Sequence, residues 1–199
     1  NASLNNSYHN YTELNNKDYN FTGYAVDRAG NKNETDQWEV TVNANPSALT
    51  SCGTLGAAGL NYTLQNDVNA DGTCFTVRAS DISLDGQGYL INYSRTGEGY
   101  AVNNTGGFDN VLVKNLVIRQ DTTASTSSFA FYLDNSADDM TILNNTVRTA
   151  TALGYGIRAI NSDKLNISEN NITTAGNTGR AMWLTDVDSS IISHNNLSV

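Results

Sequence analysis

Five large apolar residues, Leu84, Val113, Ile142, Ile167 and Ile192, recur at spacings of 29, 29, 25 and 25. Each is followed five residues later by another large residue: Tyr89, Ile118, Val147, Ile172 and Leu197. A further apolar run precedes each later anchor, namely GYAV (99–102), FAFYL (129–133), YGIRAI (155–160) and RAMWL (180–184), with Gly, Asn, Asp and Ser in the joins. Short strands at such an interval cannot each bury an apolar face alone, whereas stacked repeats enclose a continuous core. A propeller blade needs a period of about 40 residues or more. A leucine-rich repeat would show Leu-x-x-Leu-x-Leu, which is missing. The pattern predicts an all-β solenoid, a parallel β-helix climbing one rung per repeat.

Composition agrees with strands. The 199 residues include 29 Asn, 22 Thr and 17 Ser against a single Pro, and runs of helix-favouring residues are missing. A net charge of −9, with 11 scattered basic residues, argues against a nucleic-acid partner. No apolar run approaches the roughly 20 residues of a membrane-spanning helix. The chain begins at Asn1 without an initiator Met or signal peptide and stops inside its repeat, so a segment of a longer, processed polypeptide is expected.

Residues 1–44 differ from the rest. Tyr19, Phe21, Tyr24 and Val26 alternate around a break at Gly23, Asp27–Asn31 is a turn signal, and Trp38, Val40 and Val42 alternate again. With its Ala25-x-Asp27-x-Ala29-Gly30-Asn31 turn, this stretch resembles the closing strands of immunoglobulin-like or fibronectin-III-like modules. The resemblance implies a partial β-sandwich, completed by a longer chain or another subunit, because such a sandwich needs about seven strands. Residues 45–51, containing Pro46, read as a linker, and 52–199 as the β-helix.

The rungs NVLVKNLVI (110–118) and KLNISENNI (164–172) resemble those of right-handed parallel β-helices of the pectate-lyase-like superfold. The order Cys52-Gly-Thr-Leu55, Gly72-Thr-Cys-Phe75 and Leu84-Asp-Gly-Gln-Gly88 is similar to the first coils of secreted archaeal β-helix surface proteins. That resemblance implies a right-handed coil and a Cys52–Cys74 disulfide stapling its opening turn. The residues themselves leave two reduced core thiols as the alternative; a disulfide over this 22-residue separation would contribute about 3 kcal/mol.

Twelve asparagines start Asn-x-Ser/Thr sequons: Asn1, Asn5, Asn10, Asn20, Asn33, Asn61, Asn92, Asn103, Asn144, Asn166, Asn171 and Asn196. Composition alone would give about six, so N-glycans and an extracellular setting are expected, with turn-forming bias as the competing explanation. Three positions after the anchors come Leu116, Asn145, Asn170 and Asn195. None of these asparagines begins a sequon, so 145/170/195 is predicted to be a structural ladder, with the sequons on outward flanks.

Few patterns point to chemistry. Asp134, Asp138, Asp139, Asp186, Asp188, Arg180 and His194 are the residues a pectate-lyase-like enzyme would draw on, but they fall in joins where Asp favours turns, and no catalytic residue is assigned. Asp67-Val-Asn69-Ala-Asp71-Gly72 opens like a calcium loop; Arg78 at the twelfth position excludes an EF-hand, leaving Asp67, Asn69 and Asp71 as a calcium candidate of other geometry. No other cofactor is expected. Arg119 and Arg148 occupy equivalent positions and read as a solvated ladder. Tyr100, Phe131, Tyr132, Tyr155 and Trp183 form either an aromatic sugar platform or, the preferred reading, core and sheet cover.

The expectation is a non-enzymatic, extracellular, glycosylated structural protein. It would be a subunit of a surface appendage, filament, surface layer or adhesin, assembling with identical subunits or neighbouring domains. The alternative is a carbohydrate-active enzyme or polysaccharide-binding module on a β-helix, a choice that fold alone does not make.

Overall fold

The computed structural model describes residues 17–42, 47–121 and 127–199. The sequons at Asn1, Asn5 and Asn10 lie outside them. The chain divides into two compact units, Asn1–Asn45 and Pro46–Val199. Among the described residues every regular element is a strand, and no helix is long and apolar enough to cross a membrane.

The first unit contains β1 (Lys17–Phe21), β2 (Tyr24–Val26), β3 (Lys32–Glu34) and β4 (Trp38–Val42). β1 pairs antiparallel with β4 and β2 with β3, making one interrupted hairpin. At the interruption, Thr35 donates its backbone N–H to the Gly23 carbonyl, and the Thr35 hydroxyl accepts the Gly23 N–H. The turn predicted at Asp27–Asn31 is closed by the Asp27 carboxylate, which accepts the backbone N–H of Ala29 and Asn31 and the Asn31 side-chain amide. These bonds hold its carboxyl below the usual range. β3 escapes the sequence reading because Lys-Asn-Glu shows no apolar alternation.

The second unit is a parallel β-solenoid built from sheets of seven, six and six strands. Each full coil visits them in a fixed order. One coil runs through Thr141–Leu143 in the first sheet, Thr146–Thr149 in the second and Tyr155–Ile160 in the third. The anchors Leu84, Val113, Ile142, Ile167 and Ile192 are register partners in the first sheet. Tyr62 joins them one coil earlier. Ile118, Val147, Ile172 and Leu197 stack in the second sheet.

Two sequence assignments change. Ile91, not Tyr89, is the register partner of Ile118, and Tyr89 is 37% exposed. The corner between Asp85 and Leu90 is two residues wider than its successors, with Gln87 and Gly88 at positive φ, so the inward position moves on by two. Ser47–Leu49 is a strand of the first sheet paired with Asn61–Leu64, not part of a linker. A Cys52–Cys74 disulfide joins the opening coils. The strands that follow the two cysteines are in register, Gly53 opposite Phe75, so the 22-residue separation is one full coil and the bond runs along the axis.

Successive coils lie about 4.8 Å apart, so inward residues form apolar columns while outward ones form polar or aromatic columns. Leu84, Val113, Ile142 and Ile167 are all essentially inaccessible. Ile192 and Leu197, in register with Ile167 and Ile172, are 49% and 47% exposed.

Candidate ligand-binding cleft

In the regular coils the corner from the first to the second sheet is made by one residue in the left-handed region followed by one residue outside the strands. Asn115, Asn144, Glu169 and His194 occupy the first position, with φ of 56°, 52°, 59° and 55°. The N–H of the residue after each bend needs a partner other than the strand ladder. The Asn145 side chain supplies it for Leu116 at 3.0 Å, Asn170 for Asn145 at 3.0 Å, and Asn195 for Asn170 at 2.9 Å. The amide groups also bond to one another, Asn145 Nδ2 to Asn170 Oδ1 and Asn170 Nδ2 to Asn195 Oδ1, both at 3.0 Å. Asn145 and Asn170 are buried, so this column is part of the frame.

A second column was not foreseen. In the corner from the third sheet back to the first, the carboxylates of Asp109, Asp138 and Asp163 accept the backbone N–H of Asp138, Asp163 and Asp188 one coil on, at 3.1, 2.7 and 2.7 Å. Of the residues weighed for catalysis, Asp138 therefore spends its carboxylate on the backbone, while Asp188 enters the column through its own N–H. Asp139 pairs with Lys164 at 3.6 Å, and Asp134 accepts from its neighbour Asn135. His194 is an exposed bend residue.

The residues of the calcium candidate each have a partner on the next coil: Asp67 accepts the Leu90 N–H, Asn69 accepts the Asn92 amide, and Asp71 faces Arg95 at 3.4 Å. Among the described residues no group of three or more His, Cys, Asp or Glu could hold a metal ion. Arg119 and Arg148 are exposed register neighbours on the second sheet. Of the sequon asparagines, Asn20, Asn33, Asn61, Asn144, Asn171 and Asn196 are exposed, and Asn103 and Asn166 are half-buried. Asn92 is only 6% exposed, which closes it to a glycan in the folded chain.

The outer face of the third sheet carries the feature with chemical potential. Tyr132, Arg158 and Trp183 are register partners there, so Arg158 lies between an aromatic ring one coil below and another one coil above. Its guanidinium carbon is 5.0 Å from the ring centroids of both Tyr132 and Trp183 and 5.1 Å from that of Phe129. Beside this column runs another, Tyr100, Phe129 and Tyr155, with centroids 5.5 and 5.1 Å apart in stacked geometry. Glu98, Ser127 and Leu153 complete a cleft of about 340 Å³. Of the five aromatic residues considered from sequence, Phe131 is in the core, while Tyr100, Tyr132, Tyr155 and Trp183 line the cleft.

Arg158 was missed because the register slips: it follows Tyr132 by 26 residues, while the anchors Ile142 and Ile167 are 25 apart. Among the described residues its guanidinium has no hydrogen-bond or ion-pair partner, and its Nε is buried without an acceptor. A cation held by rings gains about 0.5–2 kcal/mol from their faces but keeps its N–H groups for another acceptor. Burial first, then the charge of Glu98, raises the Tyr100 hydroxyl above its ordinary value, so it remains a donor at neutral pH, directed at Glu98 3.4 Å away.

Comparison with known proteins returns no match: no family model, no curated protein and no solved structure matches the chain.

Proposed function

We propose that the chain belongs to an extracellular, glycosylated structural protein of a cell surface, with the solenoid as a rod-like element of an appendage, layer or adhesin. The observation that carries this reading is the outward placement of sequon asparagines on a disulfide-stapled solenoid, including Asn171 and Asn196 as exposed register neighbours. The coil is read as right-handed and pectate-lyase-like, of the secreted archaeal type, on the motifs at 52–91. The hairpin β1–β4 is read as the closing strands of an immunoglobulin-like module. Partners are then identical subunits or neighbouring domains. Glycopeptide mass spectrometry of native material tests the reading: sugar is expected at one or more of Asn144, Asn171 and Asn196 and none at Asn92. Bare sequons throughout would sink the glycoprotein reading. Electron microscopy of the same material is expected to show ordered filaments or lattices, and isolated monomers with lyase activity would overturn the structural role.

A second reading, saccharide binding, is favoured by the cleft on the third sheet. Partly exposed rings, here Tyr100, Tyr132 and Trp183, stack on the apolar faces of sugars, and polar groups placed among them fix orientation. The two readings are compatible in an adhesive surface protein.

A further inference from the structure

We propose that Asn61 carries an N-linked glycan whose first sugars lie in a groove on the outer face of the first sheet; this rests on the glycoprotein reading above. The groove encloses about 430 Å³ and is built from different strands than the third-sheet cleft. Two outward columns line it. Register places Asn61, Ser83 and Leu112 in one and Thr63, Asp85 and Lys114 in the other. The wide corner after Asp85 adds Gln87 at one side. Asn61 is thus part of the wall, and a sugar attached to it starts inside the groove.

The Asn61 side chain is set for that attachment. The residue is exposed, and the Ser83 hydroxyl donates to its amide oxygen at 2.7 Å. That bond fixes the amide while the nitrogen, the atom that takes sugar, stays without a partner among the described residues. Attachment needs an activated glycosyl phosphate as donor. Nδ2 bonds to its anomeric carbon, the carbon–oxygen bond breaks with its electron pair leaving on the phosphate, and one of the two amide protons is released. The amide oxygen keeps its bond to Ser83, so the product leaves the column intact.

The groove suits such a chain in length, surface and charge. Asn61 to Leu112 spans two coil spacings, about 9.6 Å, which is room for one or two sugar rings. Leu112 is half-buried and offers an apolar patch, while the Thr63 hydroxyl and the Gln87 amide can donate or accept. Lys114 and Asp85 lie 3.2 Å apart and neutralise each other, so the groove favours a hydroxyl-rich ligand over a free ion. Tethering supplies the rest. An attached ligand has an effective concentration on the order of millimolar, so contacts too weak to capture a free sugar suffice to hold a bound one.

Lys114 reports on the groove. Brief acetylation of the native full chain, read by peptide mass spectrometry, is expected to modify Lys114 severalfold more slowly than in the Asn61→Gln and Thr63→Ala variants from the same cells. Both substitutions end the sequon and the second leaves Asn61 in place, so a shared effect belongs to the sugar. Lys164, paired with Asp139 in the corner between the third and first sheets, is the internal reference and is expected to react equally in all three chains. The same spectra are expected to show sugar on Asn61. A bare Asn61 with sugar at other sequons would overturn the proposal and leave the glycoprotein reading standing. Sugar on Asn61 with equal acetylation of Lys114 in parent and variants would put the glycan in solvent and overturn its place in the groove. No sugar at any sequon would remove both the proposal and the glycoprotein reading.

Discussion

Asparagine is abundant here for more than one reason, and its roles separate by column. At the bends, Asn115 and Asn144 take the positive φ that asparagine tolerates better than most residues, and their amides donate across the coils to Asp85 and Asn115. One position later, Asn145 and Asn170 turn inward and complete the backbone of the preceding coil. Asn170 alone donates to the carbonyls of Ile142 and Ser168 at 2.8 and 2.9 Å, besides its bonds within the column. Replacing Asn170 with Ala strands several buried groups and is expected to cost about 2–3 kcal/mol or more in denaturant unfolding. Asn166→Gln, on the outward side between Leu165 and Ile167, is expected to stay within about 0.5 kcal/mol. Equal stability of Asn170→Ala and the parent chain would remove the structural role of the column. The parallel aspartate column was not legible beforehand, because Asp in a join is explained equally well by any turn. Only the register between coils brings each carboxylate to the next backbone N–H.

At the scale of strands and corners, the regular repeats were readable and the irregular ones were not. Anchors five residues before their partners locate the sheets wherever the corner is the two-residue bend, as in Lys114-Asn115-Leu116-Val117. Asp85-Gly86-Gln87-Gly88-Tyr89 breaks that rule, and the glycines that signal a turn do not state its width. Gly86 itself is forced: a Cβ there would lie 2.6 Å from the Asn115 carbonyl and 2.4 Å from the Leu116 side chain. A separate one-residue difference, 26 from Tyr132 to Arg158 against 25 from Ile142 to Ile167, hid Arg158. This wide corner is closed by Asp85, whose carboxylate accepts from Gln87 N–H and Asn115 Nδ2, both at 3.0 Å, and from Lys114 at 3.2 Å. Burial disfavours the charged form, yet these bonds and the Lys114 charge outweigh it and hold the Asp85 carboxyl below its ordinary value. A depressed folded-state value means stability that is present above the unfolded value near pH 4 and lost as pH falls through the folded one. Asp85→Asn is expected to be less stable than the parent by about 1–2 kcal/mol at pH 7. That gap should close as unfolding is repeated from about pH 5 down to pH 2, and a gap independent of pH would mean that the charge at this corner contributes nothing.

The solenoid as a whole is a one-dimensional stack, and its stability is distributed accordingly. Each coil is held by its neighbours, so coils with a neighbour on both sides bury both rims of their apolar columns. Val113, Ile142 and Ile167 sit in such coils and are inaccessible. At the opening turn the Cys52–Cys74 bond links consecutive coils along the axis. Opening it does not remove native hydrogen bonds; it restores the freedom of a 22-residue loop in the unfolded segment, worth about 3 kcal/mol. Hydrogen exchange followed by mass spectrometry is therefore expected to show a gradient rather than one uniform value. Amides of Val111–Lys114 and Thr141–Leu143, which have a coil on either side, should exchange slowest among the solenoid strands. After reduction and alkylation, Gly53–Leu55 and Phe75–Val77 should lose protection while the central strands keep theirs. Loss of protection in every coil at once on reduction would mean that the stack unfolds as a single cooperative unit, and nearest-neighbour bookkeeping would not describe it.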